Sequence, residues 1–185
     1  MKLNKVLFLT AIVSSVCASS AFADDSVSTG TAHWYGSAQI IPGTTHTITG
    51  ENGVMKLEDG ELNIQADGTF TSTAVVMESH ELTGDDTMAI QDRIGAKVDT
   101  VWKLDLAKFD WGSENGAAAS EISKNITFTD QISGTSFAVG GSEEVTASQV
   151  NMVVENATPT TVTNAAAEAH VQATFVSTLV GPVAP

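Results

Sequence analysis

Apolar and polar residues alternate along much of this chain. In "AHVQATFVSTLV", Ala169, Val171, Ala173, Phe175 and Leu179 fall on one side, with His170, Gln172, Thr174 and Thr178 on the other. Successive side chains of an extended strand point to opposite faces, so a period of two predicts a long strand with one dry side. "SQVNMVVEN" sets Val150, Met152 and Val154 against Asn151 and Glu155, and "NITFTD" does the same with Ile126 and Phe128. "GTFTSTAVVMES" is rich in Thr, Val and Phe, which fit a pleated, half-buried surface. Between these runs stand "GENG", "EDGE", "ADG", "TGDD", "SENG" and "VGGSEE", turn signals at short spacing. They predict a meander in which Glu61–Ile64 is a short strand. Helix-like composition is confined to "SENGAAASEIS" and "TNAAAEAH", each a turn or two long. The expected fold is therefore all-β, an antiparallel sandwich with a short helical crossover and no second domain.

A second alternating run lies near the start, in "STGTAHWYGSAQII". Val27 opens the segment, and Ala32, Trp34, Gly36, Ala38 and Ile40 form one row. His33, Tyr35, Ser37 and Gln39 form the other, and Pro42-Gly43 ends the strand abruptly. Such a segment is either the first strand of a closed sandwich or a strand that completes a neighbouring molecule. Before it, Met1–Lys5 is basic, Val6–Val16 is a short apolar run, and Ala21-Phe22-Ala23 presents small residues for signal-peptide cleavage. That run is too short to anchor in a membrane. The expected organisation is a signal peptide at 1–23, an N-terminal extension at 24–43 and a sandwich domain at 44–185.

Cleavage after Ala23 leaves 162 residues, enough for one core, and removes Cys17, the only cysteine. An exported chain without a disulfide holds together by packing and strand pairing alone. Six basic residues then face 22 acidic ones, a net charge near −16, which argues against nucleic acid and anionic lipid as partners.

Catalytic signatures are missing: there is no G-x-S-x-G elbow, P-loop, H-E-x-x-H or EF-hand loop. The expectation is no enzyme and no cofactor. His33, His46, His80 and His170 lack ligand spacing and are expected on the solvent faces of strands. Asp85-Asp86, Glu143-Glu144 and Asp59-Gly60-Glu61 suit either weak calcium binding or hydrated turns, and no metal site is assigned. Trp102 and Trp111 bracket "WKLDLAKFDW". Exposed, they would form a sugar-binding platform; otherwise Trp102, Leu104 and Leu106 form one core-facing row.

The leader, the alternating N-terminal segment, the absence of cysteine after it and the alternating C-terminal strand together resemble subunits of chaperone–usher fimbriae. The nearest likeness is to the disulfide-free major pilins of the common-pilus type. "TAHWYGSAQ" is similar to that family's N-terminal stretch, "GELNIQADGTFTSTAVVMES" to its early strand pair, and "HVQATFVST" to its closing strand. The stretch from Thr83 to Glu121 departs from the pattern, and "VGPVAP" trails beyond the last strand. The resemblance implies an immunoglobulin-like sandwich that is incomplete by itself and is completed by a donor strand from another subunit. Val27, Ala32, Trp34, Gly36, Ala38 and Ile40 would then be the donor residues. Val171, Ala173, Phe175 and Leu179 would line the acceptor groove and meet a periplasmic chaperone. An outer-membrane usher would assemble a surface fimbria serving adhesion or biofilm formation, with a host or matrix glycan as its target. The alternative function is a secreted or periplasmic carbohydrate-binding β-sandwich.

Overall fold

The period of two becomes strand pairing almost everywhere it is strong. The computed structural model describes residues 27–34 and 39–181, with side chains from residue 40 onward. The signal peptide expected at 1–23, residues 24–26, residues 35–38 with Gly36 and Ala38, and residues 182–185 lie outside the described residues. In chain order the strands are β1 Val27–Trp34, β2 Gln39–Ile41, β3 His46–Thr49, β4 Leu62–Ile64, β5 Phe70–Ser72 and β6 Val75–Leu82. β7 Ile94–Lys97, β8 Thr100–Asp110, β9 Thr127–Asp130, β10 Ser136–Ala138, β11 Glu144–Ala147, β12 Gln149–Asn156 and β13 His170–Leu179 follow. Among the described residues one α-helix, α1 Gly116–Asn125, interrupts them.

Two antiparallel sheets result. The first runs β11-β8-β13-β1-β2. The second runs β10-β9-β12-β5-β4, with β6 pairing β12, β3 and β7. The chain changes sheets between β2 and β3, just where Pro42-Gly43 breaks the alternation. Aromatic contacts join the sheets through the core. Phe175 on β13 meets Phe128 and Phe137 edge-on, with ring centres 5.9 Å and 6.2 Å apart. Such T-shaped pairs add specificity to the area they bury. Ile48, Met77, Trp102, Met152 and Val154 complete this dry layer, all fully buried. The fold is thus the all-β sandwich the alternation predicts.

The row expected at the start of β8 breaks halfway. Trp102 and Leu104 are buried, but Leu106 is 58% exposed. Pairing with β13 explains the break: Leu104 opposes Phe175 and Leu106 opposes Thr174, so Asp105 is an extra residue in a β-bulge. A bulge shifts the alternation by one. Ala107, Phe109 and Trp111 therefore carry the inward row onward in place of Leu106.

Trp102 and Trp111 are both fully buried, so of the two readings the core anchor holds and the exposed sugar-binding platform does not form. Each indole N–H donates to a backbone carbonyl, Trp102 to Ala147 and Trp111 to Ala167, both at 2.8 Å. Their role is to anchor β11 and the 164–169 segment onto β8.

The second helix-like stretch, "TNAAAEAH", forms turns. Buried Asn115 holds it instead: its Oδ1 accepts from the Thr163 and Asn164 amides, and its Nδ2 donates to the Trp111 and Asn164 carbonyls. Three long-range bonds to one side chain, with a fourth tying it to Trp111, outweigh the weak helix preference of a short alanine run.

Candidate functional site

The most informative place is beside β13, the last strand. Its Val171, Ala173, Phe175 and Ser177 are buried, while Leu179 is half-buried at the end of the row. β8 covers one edge of β13 and β1 covers the other. β1 runs antiparallel to β13 over eight residue pairs, from Val27 opposite Thr178 to Trp34 opposite Val171. Among the described residues β2 pairs only with β1, through Thr29–Ile41, Gly30–Ile40 and Thr31–Gln39.

In the lone chain, then, the place beside β13 is taken by the chain's own first strand. Ala32 and Trp34 stand opposite Ala173 and Val171, two of the core-facing residues of β13. Ile40 packs against the core from β2, and Ile41 is exposed. Val27 opposes Thr178, which lies between the buried positions of β13 rather than among them. The extension drawn at 24–43 therefore contributes β1 and β2 to the first sheet.

One end of this slot carries a feature that the sequence reading passed over. Four polar residues interrupt the inward rows, one on each of four strands: His46 on β3, Ser79 on β6, Thr100 on β8 and Ser177 on β13. All four are fully buried. Two residues inward along each strand the row is apolar and fully buried, at Ile48, Met77, Trp102 and Phe175. Two residues outward, Thr44, Glu81, Val98 and Leu179 line an open cleft of about 330 Å³. His46 ties the two sheets together, its Nε2 lying 3.2 Å from the Ser177 carbonyl and 3.0 Å from the Ser177 hydroxyl. A carbonyl only accepts, so Nε2 holds the proton and Nδ1 presents a lone pair. That Nδ1, the Ser79 hydroxyl and the Thr100 hydroxyl have no hydrogen-bond partner among the described residues. Burial lowers the His46 pKa, and the Ser177 carbonyl only partly offsets it. The legible signal was Ser177 itself, the one polar residue in an otherwise apolar row.

A second buried polar group lies on the outer face of β6. The Glu78 carboxylate, only 2% exposed, takes bonds from Lys97 Nζ at 2.6 Å, His80 Nε2 at 2.9 Å and the Gly53 amide at 3.1 Å. Burial raises its pKa, but Lys97, His80 and the Asn52 and Gly53 amides together hold it down at about 2. His80 also bonds the Gly95 carbonyl through Nδ1 at 2.8 Å. The network pins the 51–53 turn and β7 to β6.

The histidines expected on solvent faces divide accordingly. His46 and His80 are buried and bonded, His170 is half-exposed with Glu168 4.0 Å away, and the His33 side chain lies outside the described residues. Among the described residues no three His, Cys, Asp or Glu groups come together to hold a metal. Asp85 instead closes its own turn, accepting from the Thr87 amide at 2.9 Å and hydroxyl at 2.8 Å. Among these residues, too, no helix is long and apolar enough to cross a membrane. No family model, curated protein or solved structure matches the chain.

Proposed function

We propose that this chain is the structural subunit of a surface fimbria that polymerises by donor-strand exchange. The observation that carries this reading is the place of β1. The first strand of the chain fills an interior position of its sheet, between the last strand and β2. Lifting it away uncovers one edge of β13, with its row of Val171, Ala173 and Phe175, and cuts β2 off from the sheet. An unpaired strand edge over an open apolar row is a strong template for another strand. The β1 of a neighbouring copy fits the same slot by the same register. Because donor strand and acceptor slot are different surfaces, the contact is head-to-tail and propagates as an open fibre.

The partners of this reading are further copies of the chain, a periplasmic chaperone that covers the slot before assembly, and an outer-membrane usher. The fibre would be exported through the periplasm and serve adhesion or biofilm formation, with a host or matrix glycan as its target. The test is deletion of residues 24–41 from the chain expressed with its leader. Unheated surface extracts of the intact chain are expected to run as an SDS-resistant ladder, and those of the deletion as monomer. A ladder from the deletion, or a single monomer band from the intact chain, overturns the proposal.

A further inference from the structure

We propose that Ser28 is the register key of β1, selected by the buried polar residues at the end of the slot. The alternation of β1 forbids a slip of one residue, which would turn its apolar row outward. It does nothing to forbid a slip of two. Something else must choose among registers of equal parity.

In the observed register Ser28 stands opposite Ser177, Gly30 opposite Phe175, Ala32 opposite Ala173 and Trp34 opposite Val171. Ser177 lies where the inward rows turn polar, within hydrogen-bond distance of His46, whose Nδ1 has no partner among the described residues. From residue 28 to residue 34 the row of β1 reads Ser, Gly, Ala, Trp, so Ser28 is its only polar member. The one polar position in the row stands in register opposite the polar end of the slot.

Consider the two slips. Sliding β1 one way puts Gly30 opposite Ser177 and Ala32 opposite Phe175. The buried hydroxyl and imidazole then face a residue with no side chain, and Phe175 faces a larger one. Sliding it the other way puts Ser26 opposite Ser177, an acceptable exchange of serine for serine. It also drives Ser28 against Phe175, whose ring lies between Phe128 and Phe137. A hydroxyl buried among aromatic rings without a partner is costly. Ser28 is thus what forbids this second slip. A buried polar residue that fixes register at some cost in stability has precedent in coiled coils. The inference holds whether β1 belongs to the same chain or, under the exchange proposed above, to a neighbouring copy.

The test uses the full chain in a Cys17→Ser background. His33→Cys combined with Gln172→Cys reports the observed register, since these residues are opposed, and Gln172 is exposed. His33→Cys combined with His170→Cys reports the slipped one. Under mild oxidation only the first pair is expected to form a disulfide. Adding Ser28→Val should raise the second disulfide at least tenfold, and adding Ser26→Val as well should lower it again, because the slipped register then loses its own hydroxyl. Disulfides confined to the first pair with Ser28→Val present, or a second pair already abundant without it, overturn the inference. Band size reads separately whether the link is within one chain or between two, so a failure of strand exchange and a failure of the register key are told apart.

Discussion

Replacing Glu78 by glutamine keeps the shape of a buried side chain and removes its charge. The carboxylate sits among Lys97, His80 and the amides of the 51–53 turn, and its pKa falls from 4.5 to about 2. A drop of that size corresponds to about 3 kcal/mol of folding stability, at about 1.4 kcal/mol per pH unit. The sign follows from proton counts. Between these two values the unfolded chain binds more protons than the folded one, so stability rises with pH there. The contribution is fully present above pH 4.5 and is lost as the pH falls through the folded value. For a domain of this size about 3 kcal/mol is about 6–12 °C in melting temperature. Melting curves of the native chain and Glu78→Gln from pH 2 to pH 7 should show that gap at neutral pH and see it close toward pH 2. A gap of equal size at both ends would mean that shape rather than charge holds the site. No gap at pH 7 would mean that the network adds nothing to the fold.

Three further outcomes are expected. His46 is buried and its pKa is lowered, so below pH 6.5 the unfolded chain takes up protons that the folded chain refuses. The melting temperature should fall as the pH drops from 7.5 to 5.5, and His46→Leu should flatten that slope. Asn115→Ala removes four bonds to the Trp111, Thr163 and Asn164 backbone. Chemical denaturation should show a loss of about 2–4 kcal/mol, with amide exchange fastest in residues 160–167. Asp85 closes its own turn, so the melting temperature should be the same in calcium and in EDTA.

The fold was legible where local alternation decides it. β12 and β13 match their predicted runs, and the "GTFTSTAVVMES" run became β5 and β6, separated only at Thr73-Ala74. What depends on partners far along the chain was not. The Asp105 bulge exists only because β13 lies alongside, and no property of "WKLDLAKFDW" marks it. His46 and His80 read as surface residues because imidazole is polar, yet the Ser177 partner of His46 lies 131 residues away. Alanine-rich "TNAAAEAH" reads as helix until the Asn115 side chain, 49 residues earlier, claims the Asn164 backbone. The row of Val171, Ala173 and Phe175 was found by periodicity, whereas the polar end of that row was visible only as an unexplained serine.

The antiparallel pairing of β1 with β13 also fixes how the molecule bears tension. Val27 and Thr178 are neighbours, so the start of β1 and the end of β13 lie on the same side of the sandwich. Pulling them apart loads the ladder crosswise and breaks its rungs one after another, like a zipper, with each rung worth about 1 kcal/mol. A strand held by a second molecule and pulled along its length meets all its rungs at once. The same eight residue pairs would therefore be a weak clasp within one chain and a strong joint between two.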